Sequence, residues 1–169
     1  MNNKDFQKLM LKTAILSMSA DGNIHKEEIK KFSELIYKSK YFKDIDLENE
    51  LKLILEDIDK NFMSAFENYI NFFDNNYLSV NEVLLLFELL LDVINSDFII
   101  TDEEVFFIKT LRSKFKYIPN EIFISRFGYS EYFNIETENP FITLKKPNFN
   151  DIDFSSFLDG EVKNLKDND

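Results

Sequence analysis

Apolar residues recur at helical spacing through most of the chain. Phe6, Leu9, Met10 and Thr13 fall at i, i+3, i+4 and i+7, which predicts an amphipathic helix near the start. A second helix is expected over about 26–37, with Ile29, Phe32 and Ile36 inward. After Asp46, a plausible N-cap by residue type, Leu47, Leu51, Ile54, Leu55 and Ile58 continue the period. A fourth helix is expected over about 61–73. Ser79-x-x-Glu82 is a capping box that opens a fifth over about 80–95, apolar on nearly every side, as suits the centre of a bundle. Thr101-x-x-Glu104 is a second capping box, starting a sixth helix that ends near Phe115. Pro119 suits the first turn of a short seventh, to about Arg126. Strand alternation is hard to find. The expectation is an all-α bundle of about seven helices over residues 1–127.

From Gly128 the helical signals fade, Pro140 and Pro147 interrupt, and acids outnumber bases. Yet Tyr129, Tyr132, Phe133, Phe141, Phe149, Phe154 and Phe157 remain, and disordered tails are normally poor in aromatics. Residues 128–169 are therefore expected to form an extended arm packed on the bundle and frayed at its end. Phe141-Ile142-Thr143-Leu144 has room for at most a short edge strand.

The bundle should contain an internal repeat. Asp21-Gly22-Asn23-Ile24-His25-Lys26-Glu27-Glu28 aligns with Asp97-Phe98-Ile99-Ile100-Thr101-Asp102-Glu103-Glu104 at an offset of 97 − 21 = 76 residues. The match continues through Ile29/Val105, Phe32/Ile108 and Leu35/Leu111, and upstream through Leu11/Phe87, Ile15/Leu91 and Met18/Ile94. Two helix-loop-helix hairpins of one design thus recur. In each, an Asp follows a helix C-terminus, where the macrodipole is unfavourable to an anion. Two partners could compensate it: the free N–H groups of the next helix, or a cation. With His25 and Thr101 as N-caps, Glu28 and Glu104 sit at the third helical position, where a glutamate caps the helix start.

Composition narrows the chemistry. The chain has 169 residues, and 20 basic against 31 acidic side chains give a net charge of −11. That field opposes general binding to nucleic acid or anionic membranes. No Cys occurs, which excludes disulfides, thiolate metal sites and Cys nucleophiles. His25 is the lone histidine, which argues against a His-rich metal site and a Ser-His-Asp triad. The three glycines form no phosphate-cradling loop. Asp21-Gly22-Asn23 hints at a calcium loop, but an EF-hand beginning there would need Gly and Glu where Lys26 and Phe32 stand. Residues 1–20 have a superficial likeness to a signal peptide, yet Asp5, Lys12 and Thr13 break it. The apolar run 83–94 is too short to span a bilayer and carries Glu88 and Asp92. A cytoplasmic protein without direct membrane insertion is expected.

The repeated D-G-x-I-x-x-E-E pattern in an acidic, all-helical chain resembles the TerB-like family of tellurite-resistance and DnaJ-type co-chaperone domains. The resemblance spans about residues 4–127 and rests on Ala20-Asp21-Gly22-Asn23-Ile24 with Glu28, and Ser96-Asp97 with Ile100 and Glu104. It implies a bundle of about seven helices with internal pseudo-twofold symmetry. It also implies a non-enzymatic, stress-linked interaction module with a protein partner. A divalent cation, Ca²⁺ or Mg²⁺, would then be held by Asp21, Glu28, Asp97 and Glu104. Phe98 stands where the first hairpin has Gly22, so the second turn must be built differently. Two other classes compete with this one. An acidic immunity- or inhibitor-type protein would use the negative surface to mask a basic toxin or nuclease. A carboxylate-metal hydrolase would use the same four acids, without an evident base or oxyanion donor.

Overall fold

The computed structural model describes residues 1–38, 40–97, 99–128, 130–133, 144 and 146–149. Among these residues the chain is helical, with no strand. In chain order the helices are α1 (Asn3–Met18), α2 (Lys26–Lys38), α3 (Leu47–Lys60), α4 (Phe62–Asn75), α5 (Val80–Ile94), α6 (Asp102–Ser113), α7 (Asn120–Phe127) and the single turn α8 (Ser130–Phe133). Short 3₁₀ turns stand at Lys40–Phe42 and Asn95–Asp97.

The helix starts are set by local chemistry. Asn2, Asp46 and Asn61 accept backbone N–H bonds from Asp5, Asn49 and Ser64, which satisfies otherwise orphaned donors of α1, α3 and α4. Ser79 with Glu82 and Thr101 with Glu104 form complete capping boxes at α5 and α6. Pro119 lies one residue earlier than expected, at the N-cap of α7 rather than inside its first turn. Its ψ of 146° is extended, so the helix begins at the next residue. Gly128 closes α7 in the left-handed region with φ 73°, where a side chain is disfavoured.

Packing centres on two helices. α1 and α5 make the most extensive interhelical contact, and α2 adds to it against α5. The repeat in the sequence appears in the element bounds: α1 and α5 end 94 − 18 = 76 residues apart, and α2 and α6 begin 102 − 26 = 76 apart. The central role of α5 follows from its apolar composition. That of α1 does not, because Thr13 and Ser17 interrupt its apolar residues and Ser19 follows at its C-cap. All three are buried, and their hydroxyls donate to the carbonyls of Leu9, Ala14 and Ile15 at 2.8, 2.8 and 2.6 Å. A hydroxyl satisfied by its own helix can enter a core without the penalty of an unpaired polar group. Thr13 also meets the Tyr69 hydroxyl at 2.8 Å, which ties α1 to α4.

The core is dominated by phenylalanine. Phe87 meets Phe115, Phe123 and Phe133 in edge-to-face contacts with centroids 6.1, 5.0 and 5.9 Å away. Residues beyond Gly128 enter this same core: Phe133 and Leu144 are buried and Phe149 packs against it. Lys146 pairs with Asp59 in the last turn of α3 at 2.9 Å. Leu144 lies outside any strand; the rest of the 141–144 run lies outside the described residues, as do residues 150–169.

Arg112 is fully buried near the end of α6. Its Nη1 donates to the Phe115 carbonyl at 2.7 Å, and Nη2 donates to the Ile118 carbonyl and Asn120 Oδ1 at 2.6 and 2.8 Å. The guanidinium also stacks 4.2 Å from the Phe123 ring centroid. It therefore stitches the α6–α7 connection to both helices. Burial lowers its pKa from the ordinary arginine value, yet an arginine keeps its charge in proteins.

Candidate functional site

The first hairpin turns at residues 19–25. Successive backbone bonds from Ser19, Ala20 and Gly22 back to Leu16, Ser17 and Ser19 unwind the end of α1. Gly22 then takes φ 81°, a left-handed conformation that explains the glycine. Asp21 Oδ1 accepts from the Asn23 backbone N–H at 2.8 Å, and Oδ2 lies 3.6 Å from His25 Nε2. The aspartate expected to meet an unfavourable dipole is thus partnered inside its own turn. Glu28 is 2 % exposed, and its Oε2 accepts from the His25 backbone N–H at 2.8 Å.

The second hairpin repeats the arrangement with a complete capping box. Glu104 is 5 % exposed. Its Oε2 accepts from the Thr101 backbone N–H at 2.7 Å and hydroxyl at 3.0 Å. The Glu104 N–H in turn donates to Thr101 Oγ1 at 3.3 Å. At the preceding turn, Asn95 Nδ2 donates to the Leu91 carbonyl at 2.8 Å, capping α5 with its side chain. Phe98 and the Asp97 side chain lie outside the described residues, so the fourth acid of the expected set has no stated geometry.

Of the four acids expected to converge, Glu28 and Glu104 each spend an oxygen on the start of their own helix. Among the described residues, no three His, Asp or Glu side chains stand close enough together to hold a metal ion. Asp21, Glu28 and Glu104 form no such group.

The two hairpins do border a shared groove that the sequence did not signal. It has a volume of about 580 Å³ and runs between α2 and α5, closed at one side by the end of α7. Lys31 faces Asp92 at 3.6 Å and Arg126 faces Glu88 at 2.7 Å across it. Leu91 and Phe127 supply apolar wall. Glu88 and Asp92 stood out in the sequence only as charges in an apolar helix. Pairing them with α2 and α7 required the tertiary fold, because Lys31 and Arg126 are far from them in the chain.

Comparisons with protein-family models, curated proteins and solved structures find no match to this chain. The TerB-like resemblance therefore stands on the residues quoted above. No helix among the described residues is long and apolar enough to cross a membrane.

Proposed function

We propose that this chain is a non-enzymatic interaction module of TerB-like, stress-linked type that engages a protein partner. The observation that carries this is the duplicated hairpin, in which Glu28 and Glu104 are buried and bonded to their own helix starts. Carboxylates used this way stabilise a scaffold and are not aimed at a substrate, which weakens the hydrolase alternative. The same geometry leaves less for a cation. A site built from all four acids would have to share the oxygens that cap α2 and α6.

Calcium and magnesium test that part directly. If the hairpin acids are caps, millimolar Ca²⁺ or Mg²⁺ leaves the melting temperature where it was. A rise in melting temperature that disappears in Asp21→Asn with Asp97→Asn restores a divalent site instead.

The net charge of −11 favours a second reading, in which the partner is a basic toxin or nuclease held by an immunity-type protein. The two differ in how binding responds to salt. A complex recovered from the native host and titrated between low and physiological ionic strength weakens steeply if it is a charge-matched inhibitor pair. It changes little if apolar contacts dominate.

A further inference from the structure

The described part of the arm has an alternation that the helices lack. Leu144 is 3 % exposed within the core, Pro147 is buried and Phe149 packs on the core, while Lys146 and Asn148 between them are exposed. These residues belong to no helix or strand. They run past the last turn of α3, where Lys146 meets Asp59, a pair largely in solvent that adds little hold. Anchoring side chains that enter apolar sites of a folded domain are a recurring way for short peptides to dock.

We propose that Leu144 and residues 146–149 occupy, in cis, a peptide-docking site of the helical body, one that accepts a segment carrying Leu, Pro and Phe anchors. The proposal rests on the interaction-module reading and gives it a place: a partner segment of the same chemistry binds by displacing the arm. Ten residues separate Phe133 from Leu144 in the sequence (144 − 133 − 1 = 10), so the covalent tether makes the arm's binding an intramolecular event. A free peptide must compete with that tether, so a weakened arm should expose the site.

A fluorescein-labelled synthetic peptide covering residues 141–152, titrated into the full-length chain, tests this by fluorescence polarisation. The double variant Leu144→Asp with Phe149→Asp is expected to bind the peptide at least about tenfold more tightly than the unmodified protein. A peptide carrying Leu144→Asp should bind neither. The proposal is overturned if the double variant keeps its far-ultraviolet helical signal and binds no peptide, or if both proteins bind it equally. Should the double variant lose helicity, Leu144→Ala is used in its place. Loss of helicity there too shows that Leu144 is a core residue and not a removable anchor, which also overturns the proposal. Partner capture plays no part in this measurement, so a negative result leaves the interaction-module reading to its own salt titration.

Discussion

At the scale of single residues, Thr13 and Arg112 enter the core by different routes, and Arg112 does so with its Nε left without a hydrogen-bond partner among the described residues. Thr13 bonds its own helix and Tyr69 at once, whereas Arg112 reaches forward to two carbonyls on the next connection and to Asn120 at the start of α7. Tyr69 gives a pH dependence whose sign can be worked out. Burial raises its phenol pKa above the ordinary tyrosine value, with the Thr13 bond acting as a smaller opposing effect. Folding therefore favours the neutral phenol. That contribution is complete below the unfolded pKa of about 10 and is lost as pH rises beyond it. Urea unfolding from pH 8 to 11 should show stability falling with pH. Tyr69→Phe should flatten part of that slope and cost about 1 kcal/mol at pH 8, where only the hydroxyl bond is lost. An unchanged slope in the variant would assign the alkaline loss to other groups.

At the scale of elements, the two hairpins are the same device with unequal caps. Thr101 offers a hydroxyl as well as a backbone N–H to Glu104, whereas His25 is seen to give Glu28 only its backbone N–H. Thr101→Ala should cost about 1 kcal/mol, the usual penalty for removing a capping hydroxyl. His25→Thr should gain a few tenths to about 1 kcal/mol by completing the first box. Chemical denaturation of both variants checks the pair. Failure of His25→Thr to stabilise would mean that the 3.6 Å approach of Asp21 to His25 contributes more than the missing hydroxyl.

At the scale of the whole molecule, 31 acids against 20 bases make the folded state repel itself. Several cross-element pairs offset part of this, among them Lys12–Asp57, Lys114–Asp74 and Lys8–Glu50. These are surface pairs of small individual worth, so self-repulsion should dominate. Raising NaCl from about 10 mM to 150 mM shortens the Debye length from roughly 30 to 8 Å and should raise the melting temperature. A fall would show that the paired network outweighs the net charge.

The identity and order of α1 to α7, and the caps at Asp46, Ser79 and Thr101, were legible in the sequence because they are local. The helical turn α8 at Ser130–Phe133, by contrast, falls where an extended arm was expected. The 3.6-residue period, the boxes at Ser79 and Thr101, and the 76-residue offset all lie within short windows or a direct alignment. The burial of α1 on several faces was not legible, since the stripe through Phe6, Leu9, Met10 and Thr13 marks one face only, and Ser17 and Ser19 read as polar until their hydroxyls are seen bonded to the carbonyls of Ala14 and Ile15. Nor was the burial of Arg112, whose acceptors exist only once the 114–119 connection and the start of α7 fold back over α6. For the candidate site, sequence supplied the acids and their spacing. Which oxygens are spent on caps, and the groove that places Lys31 beside Asp92 and Arg126 beside Glu88, depended on helices distant in the chain coming together. Periodicity and capping are short-range properties of a chain, whereas the satisfaction of a buried charge is settled only by the neighbours that packing brings to it.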